Sequence, residues 1–395
     1  MRLLFLTHTV SWRGGGIFYT AYHQGRHLVQ RGHDVTLMSI SANARIKFSE
    51  SIVSGVHIVE TPDLFSGKGR SGWDPWDILQ RLGYLNLRKY DLVHGYESRP
   101  VVALPGLSIQ KKQHIPLVFT WADWFGKGGK SEERGRLLAP VMAPVENFCE
   151  EYFYPKADGL VAMGAPLQER ALSLGIAPEK IITLLHGCDT KNFLPIPKQE
   201  ARERLSMFQK DEIVFGYLGV LRPSSARLLL QAFQIIQKRF PGSCKLVFIG
   251  NNKLQLDDYV PEDCRQNIIE TGWLSYEDVN LYLAASDILA LPLCRAVATN
   301  NVWPSKLNDY LSAGRPVVAT RMRVFEPLFR KYTPGLLTED NPQEFAQGCL
   351  KLIADNSLGC QMGENARKLA EGELSWEVLV NGLEKFYVNL INGCL

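Results

Sequence analysis

Lys306 and Asp309 stand one helical turn apart, directly after Pro304-Ser305. That spacing puts an ammonium and a carboxylate on the same side of a helix start. Residues 306–313 read as that helix, with Pro304 suited to the opening turn and Gly314 to its end. The N–H groups of Ser305, Lys306 and Leu307 would carry partial positive charge toward an anion, above all a phosphate. Asp309 would reach whatever lies beside that phosphate. Gly14, Gly15 and Gly16 form a second such place, because they fall between a strand and a helix start. A dinucleotide fingerprint does not fit there. Its third glycine position is Tyr19, and the second strand ends in Ser39-Ile40-Ser41 without an acid. Trp121, Asp123 and Trp124 share one loop, and two indoles with a carboxylate can hold a sugar by stacking and hydrogen bonding. His94 falls near the C-terminal end of a strand, where open α/β sheets bind ligands. No Asp-x-Asp occurs, and no His/Cys group has ligand spacing, so no metal site and no resident cofactor are expected.

The elements that must position these groups alternate between short apolar strands and amphipathic helices, the pattern of parallel α/β sheets. Leu3–Thr7, Asp34–Ser39, Asp91–His94 and Ile115–Thr120 read as strands of a first domain, and Ile17–Arg31 as its first helix. Residues 41–80 read as irregular. Alternation restarts at Ile213–Leu218 and runs through Lys245–Gly250, Ile268–Gly272, Asp287–Pro292, Val317–Thr320 and Gly335–Thr338. The division expected is 1–194 and 195–374, with a last helix at 375–391 crossing back to the first domain. A hydrophobic content of 46% and charged content of 22% are those of a globular protein. A net charge of +3 is too small to argue for nucleic acid and suits an anionic substrate or light contact with an anionic membrane. Lys127, Lys130, Arg134 and Arg136 could meet lipid phosphates. The N-terminal apolar run is too short for a secretory signal, and the eight cysteines are scattered, so a reducing cytoplasm is expected.

The wording of Ser305–Thr320, SKLNDYLSAGRPVVAT, closely resembles the donor segment of glycosyltransferase family 4, the retaining enzymes of GT-B fold. Ile181–Asp189 with Phe193 resembles the strand, Gly-x-Asp turn and Phe that close the first domain of that family. The resemblance implies two Rossmann-like, doubly wound parallel-sheet domains facing a central cleft. It implies a nucleotide-sugar donor held by the second domain. Asp309 would then hold ribose hydroxyls, Trp273-Leu274 would meet the base in the turn beyond Gly272, and Gly250 would lie on the donor side with them. Gly15, Gly16, Ser305, Lys306 and Leu307 would face diphosphate. Asn301 falls where the family carries an acid facing the transferred sugar, and Ala122 where it carries a histidine. The family's two basic positions after the first strand of the second domain read Val220 and Ser225, so Arg222 or Arg227 would supply that charge from a shifted place. Gly14, His94, Trp121 and Asp123 would line the acceptor side, with Asp123, Asn301 and Asp309 at the reacting centre.

The function implied is retaining, metal-independent transfer of a sugar from a nucleotide sugar to a glycan, a lipid-linked saccharide or a small molecule. Two other readings stay open. The charges missing at Asn301, Ala122 and Ser225 would suit a silent nucleotide-sugar-binding subunit. A GT-B nucleotide-sugar epimerase is the third.

Overall fold

A computed structural model describes all residues except 13–15, 65–71, 132–138, 252–253, 255, 261 and 395, and the side chains of 257 and 298. Two compact units emerge. The first comprises Met1–His186, Asn301–Trp303 and Trp376–Leu395; the second comprises Gly187–Asn300 and Pro304–Ser375.

The first unit is built on eight strands: β1 (Arg2–Val10), β2 (Asp34–Ile40), β3 (Ser49–Val53), β4 (Val56–Thr61), β5 (Leu92–Tyr96), β6 (Leu117–Trp121), β7 (Gly159–Ala162) and β8 (Ile181–Thr183). Their order is β3-β4-β2-β1-β5-β6-β7-β8, and every pair is parallel except β3 with β4. The run Leu3–Leu6 is apolar at every position because both faces of β1 are covered. Leu4 and Leu6 enter a core with helices Pro75–Leu85 and Pro100–Gln113. Leu3 and Phe5 enter another, with helices Gly16–Gln30 and Trp376–Ile391. The sheet is thus doubly wound, and the last helix of the chain completes the first unit.

The second unit carries six parallel strands: β9 (Ile213–Leu218), β10 (Cys244–Ile249), β11 (Ile268–Glu270), β12 (Ile288–Leu291), β13 (Val317–Thr320) and β14 (Gly335–Thr338), in the order β11-β10-β9-β12-β13-β14. The chain leaves β9 in one direction through β10 and β11, then returns to β12 and moves in the other. The switch therefore falls between β9 and β12, where a ligand crevice forms beyond the strands' C-terminal ends. Helices Pro223–Arg239 and Pro342–Ala354 cover one face around Phe215, Leu246, Phe248 and Val318.

Two expectations change. The units divide at His186/Gly187, ahead of the linker, because Arg367 donates to the carbonyls of Thr190 and Phe193 and Cys188 N–H donates to Leu374 O. These bonds hold 187–194 on the second unit. The stretch 41–80 contains the β3–β4 hairpin, turned at Ser54-Gly55 with both φ positive, as a tight hairpin turn requires. After β9 the chain turns into helix Pro223–Arg239, with Arg222 as its N-cap. Among the described residues no helix is long and apolar enough to cross a membrane.

Candidate functional site

The C-terminal ends of β9, β10 and β11 each run into a glycine with positive φ: Gly219 at +79°, Gly250 at +95° and Gly272 at +68°. Glycine adopts this backbone without strain and leaves no side chain above it. Gly219 N–H donates to Ile249 O at 2.8 Å, and Gly250 N–H donates to Thr271 Oγ1 at 2.9 Å. A side chain on Gly250 would meet only Gly219 backbone, at 3.9 Å. The result is a ledge of bare backbone at the switch point.

Helix Lys306–Ala313 starts beside this ledge. Tyr310 fixes it: its hydroxyl accepts from Leu218 N–H at 2.8 Å and donates to Ala290 O at 3.1 Å, tying the helix to β9 and β12 at once. Lys306 Nζ donates to Tyr217 Oη at 2.6 Å and lies 4.0 Å from the centroid of that ring. A Cβ on Gly219 would lie 3.9 Å from the same ammonium. Burial pulls the Lys306 ammonium down to about 7, against the opposing pull of Asp309. Burial, together with the negative charge of Asp189, pushes the Asp309 carboxyl up to about 7, with Lys306 opposing. Among the described residues, none hydrogen-bonds the Asp309 carboxylate. Lys306 and Asp309 are therefore two charges held one turn apart with their solvation reduced, a state that a ligand of matching polarity would relieve.

The N–H groups sort more finely than expected. Leu307 N–H donates to Pro304 O at 2.9 Å, and the Leu307 side chain is fully buried. Leu307 is therefore a core residue and not an anion ligand. Ser305 caps the helix in αR geometry without a side-chain bond, and it is exposed. Among the described residues nothing accepts from the N–H of Ser305 or Lys306. Arg222 is exposed at the start of helix Pro223–Arg239 and acts electrostatically on Tyr217, so it lies at the same corner as Lys306. Arg227 points elsewhere, with its guanidinium 5.6 Å from the Tyr259 ring. Ser225 is buried in that helix, a place unsuited to a charge reaching outward. Trp273 follows Gly272 and is 82% exposed, while Leu274 beside it is half-buried. A largely exposed indole forgoes the burial that a Trp ordinarily gains, and it offers a face for stacking.

In the first unit, Asp123 is half-buried at the end of β6 and is bonded to Lys130 Nζ. Its backbone is set by Glu97, whose Oε1 accepts from the N–H groups of Ala122 and Asp123 at 2.9 and 2.8 Å. Glu97 Oε2 accepts from Tyr154 Oη at 3.0 Å. Glu97 holds φ at +71°, a costly backbone for a non-glycine residue. Burial and the charge of Asp123 push its carboxyl up to about 8. His186 shares a 2.9 Å hydrogen bond with Thr20 on helix Gly16–Gln30. Burial lowers His186 to about 4, with Asp123 opposing; His8 falls to about 3 through burial and the Arg99 charge. The sequence reading missed Glu97, His8 and His186. His8 near the end of β1 and His186 beyond β8 could have been found as titratable residues at the C-terminal ends of strands; Glu97 carried no signal, since its role rests on bonds to residues distant in sequence.

Two acceptor-side expectations are corrected. His94 is fully buried in mid-strand and is hydrogen-bonded to Tyr387 Oη and Thr120 Oγ1, so it serves the core. Trp121 is also fully buried, stacked on Tyr154 at 4.3 Å, with Nε1–H donating to Asp123 O. Its neighbour Trp124 donates to Lys127 O and lies under Arg170, at 4.3 Å. Gly14 and Gly15 lie outside the described residues, and Gly16 opens its helix. Asn301 is buried at the end of helix Val297–Asn301 and groups with the first unit.

Two family profiles match the chain: Glycosyltransferase Family 4 over residues 14–192 and Glycosyl transferases group 1 over residues 212–355. Among curated proteins, TuaH of Bacillus subtilis, named for teichuronic acid biosynthesis, is 23% identical over 256 residues, covering 64% of this chain and 62% of its own length. The capsular polysaccharide biosynthesis glycosyltransferase CapM of Staphylococcus aureus is 22% identical over 258 residues, 62% of this chain and 64% of its own. The chain thus spans under two thirds of either relative. Among solved structures, a sucrose-phosphate synthase from Thermosynechococcus elongatus superposes with TM-score 0.77 at 15% identity, covering 100% of both chains. Anabaena HepE in complex with UDP gives 0.70 at 16% identity, covering 98% of this chain and 100% of that one. At these identities the likeness carries the fold.

Proposed function

The chain has the GT-B fold and is related to glycosyltransferase family 4, and on that premise we propose that it is a retaining glycosyltransferase. It moves a sugar from a nucleotide-sugar donor to a glycan, a lipid-linked saccharide or a small-molecule acceptor. The observation that carries this reading is the half-buried Lys306 ammonium, set between the bare Gly219 backbone and the start of its own helix. Such a group answers the charge that grows on a departing diphosphate, in a place preorganised before the substrate arrives. Ser305 and Lys306 N–H groups add two donors, and Arg222 a fork for phosphate oxygens. Asp309 accepts from ribose hydroxyls. Trp273 stacks on the base, and the complex of HepE with UDP makes uracil the first base to try. Retaining transfer passes through an oxocarbenium-like sugar. Asn301 can meet that sugar by accepting one hydrogen bond and donating another. Thermal-shift screening against nucleoside diphosphates and nucleotide sugars tests the reading, because a ligand that binds the native state stabilises it by mass action. A set in which no nucleotide shifts the transition would oppose it. A silent binder remains the second reading, motivated by Asn301, Ala122 and the buried Ser225.

The acceptor reading extends to a membrane surface. Helix Ala139–Phe153 turns Glu146 and Glu150 inward, onto Arg99 and Arg170, and leaves Val141, Val145, Phe148 and Tyr152 exposed at helical spacing. Lys156 sits over the Tyr152 ring at 4.2 Å, and Lys127 is exposed. An apolar stripe bordered by lysines suits shallow contact with an anionic bilayer. Flotation with phosphatidylglycerol vesicles that is lost in Phe148→Ser supports this contact; flotation unchanged in that variant opposes it. The eight cysteines are all free thiols, which fits work in the reducing cytoplasm.

A further inference from the structure

The second unit has another concavity at the opposite end of its strands, around the N-terminal ends of β9, β12 and β13. It is a cleft of about 730 Å³, within the range that holds small ligands. Ile213, Ile288, Pro316, Leu352 and Ile353 give it apolar walls. Its remaining side is one face of helix Asn356–Glu371, presented through Gly359, Cys360 and Gly363. These small residues leave the volume open, but the two glycines do so for different reasons. A Cβ on Gly363 would strike Gly314 O at 2.5 Å, so that glycine permits close packing. A Cβ on Gly359 would meet nothing closer than Pro316 Cγ at 3.9 Å. Packing does not demand glycine there, although glycine is a poor choice inside a helix. What its absence of side chain preserves is the cleft.

The charges around the cleft are unequally answered. Asp287 is taken up by Lys198 and Arg202, and Glu371 by Arg367. Arg315 has no ion-pair partner among the described residues. Its Nη2 donates to Ile196 O at 2.8 Å, but its Nε–H is buried without an acceptor. A buried donor left unmatched is costly, and a guanidinium edge is shaped for a carboxylate. Lys368 lines the same wall and makes no ion pair among the described residues. Of the lining carboxylates, Glu364 makes no ion pair among the described residues, and four basic residues (Lys198, Arg315, Arg367, Lys368) stand against three acidic ones (Asp287, Glu364, Glu371). Apolar walls, one unmatched guanidinium edge and a nearby ammonium describe a specific chemistry.

We propose that this cleft is a second ligand site, separate from the donor ledge, that binds a small apolar carboxylic acid with its carboxylate on Arg315 and its hydrocarbon or aromatic body between the walls. It lies at the far end of the strands from Gly219 and Lys306, so occupancy leaves the donor ledge open. Cys360 is an exposed free thiol lining the cleft and reports on it directly.

The test uses the full chain, octanoate as the probe, and N-ethylmaleimide alkylation followed site by site by mass spectrometry. Octanoate should slow alkylation of Cys360 at least fivefold and leave the exposed Cys394 unchanged. Octanol and octylammonium at the same concentration should give no protection. Octyl phosphate should protect less well than octanoate if the planar carboxylate is what Arg315 reads; equal protection would overturn that choice of head group. Gly359→Leu, which fills the cleft, and Arg315→Gln, which removes the charge, should each abolish protection while uridine diphosphate still raises the melting temperature. If Gly359→Leu does not fold, Gly359→Ala adds one methyl in the same direction and should weaken protection. No protection of Cys360 by octanoate in the parent protein overturns the site, as does undiminished protection in the Gly359 and Arg315 variants. Protection by uridine diphosphate alone would overturn its separateness.

Discussion

If Lys306 is the cation that meets the diphosphate, nucleotide affinity must fall steeply with pH above neutrality. The free protein holds this ammonium at about 7, because burial beside Tyr217 disfavours its charge. A bound diphosphate favours the charged form and returns it toward the ~10.4 of an ordinary lysine, so binding takes up a proton. The sign follows: the binding-competent, protonated lysine is half populated near pH 7 and about 1% populated at pH 9. Affinity for uridine diphosphate should therefore drop about 50-fold between those values, close to tenfold per pH unit at the upper end. The phosphate's own second ionisation, near ~6, is almost complete throughout. Lys306→Met should weaken binding at pH 7 by about 10- to 150-fold, the ~1.5–3 kcal/mol of a charged hydrogen bond, and should flatten the slope. Asp309 titrates in the same range, so Asp309→Asn is measured beside it and should keep the slope. Isothermal titration in two buffers of different ionisation enthalpy reads both affinity and proton uptake. A pH-independent affinity in the parent protein, or a slope that survives in Lys306→Met and vanishes in Asp309→Asn, would refute the assignment.

Asp309→Ala should weaken donor binding by ~1.5–3 kcal/mol, the worth of a hydrogen bond to a charged group, with little change in melting temperature; unaltered donor affinity by titration would end its role. Trp273→Ala should cost nucleotide affinity by about 1–3 kcal/mol, as base stacking on aromatics does, and leave inorganic diphosphate binding unchanged; equal losses for both ligands would remove Trp273 from the base. Transfer should survive EDTA, since Lys306, Arg222 and backbone N–H groups are assigned the leaving-group charge, and strict dependence on added magnesium or manganese would overturn that assignment.

Much of the second unit was legible because its elements are short and sharply punctuated. Lys306–Ala313 and Val317–Thr320 fall where Pro304, Gly314 and the Val-Val run place them. Tyr310 reads inward from helical spacing and is fully buried. The β3–β4 hairpin was hidden because Ser49–Val53 lies on an edge and shows neither alternation nor a buried face. Helix Pro100–Gln113 was missed since its apolar residues encircle it, around an internal Pro105. Among site residues, the resemblance points to Trp273, which is exposed, whereas the reading of Trp121 as a sugar platform fails because that ring is buried. The difference is that Tyr154, distant in sequence, provides a stacking partner for Trp121. Similarly, His94 is removed from any surface by Tyr387 in the last helix. Long-range partners of this kind leave no local trace.

The measurement closest to the central claim is diphosphate release from a nucleotide sugar identified by thermal shift, followed with glycan, lipid-linked and small-molecule acceptors. The account predicts acceptor-dependent release by the parent protein, a product with the anomeric configuration of the donor, and a changed donor-sugar preference in Asn301→Glu with nucleotide affinity little altered. Tight donor binding with no release to any acceptor or water, together with activity created by Asn301→Glu, would contradict it and identify the chain as a silent nucleotide-sugar binder.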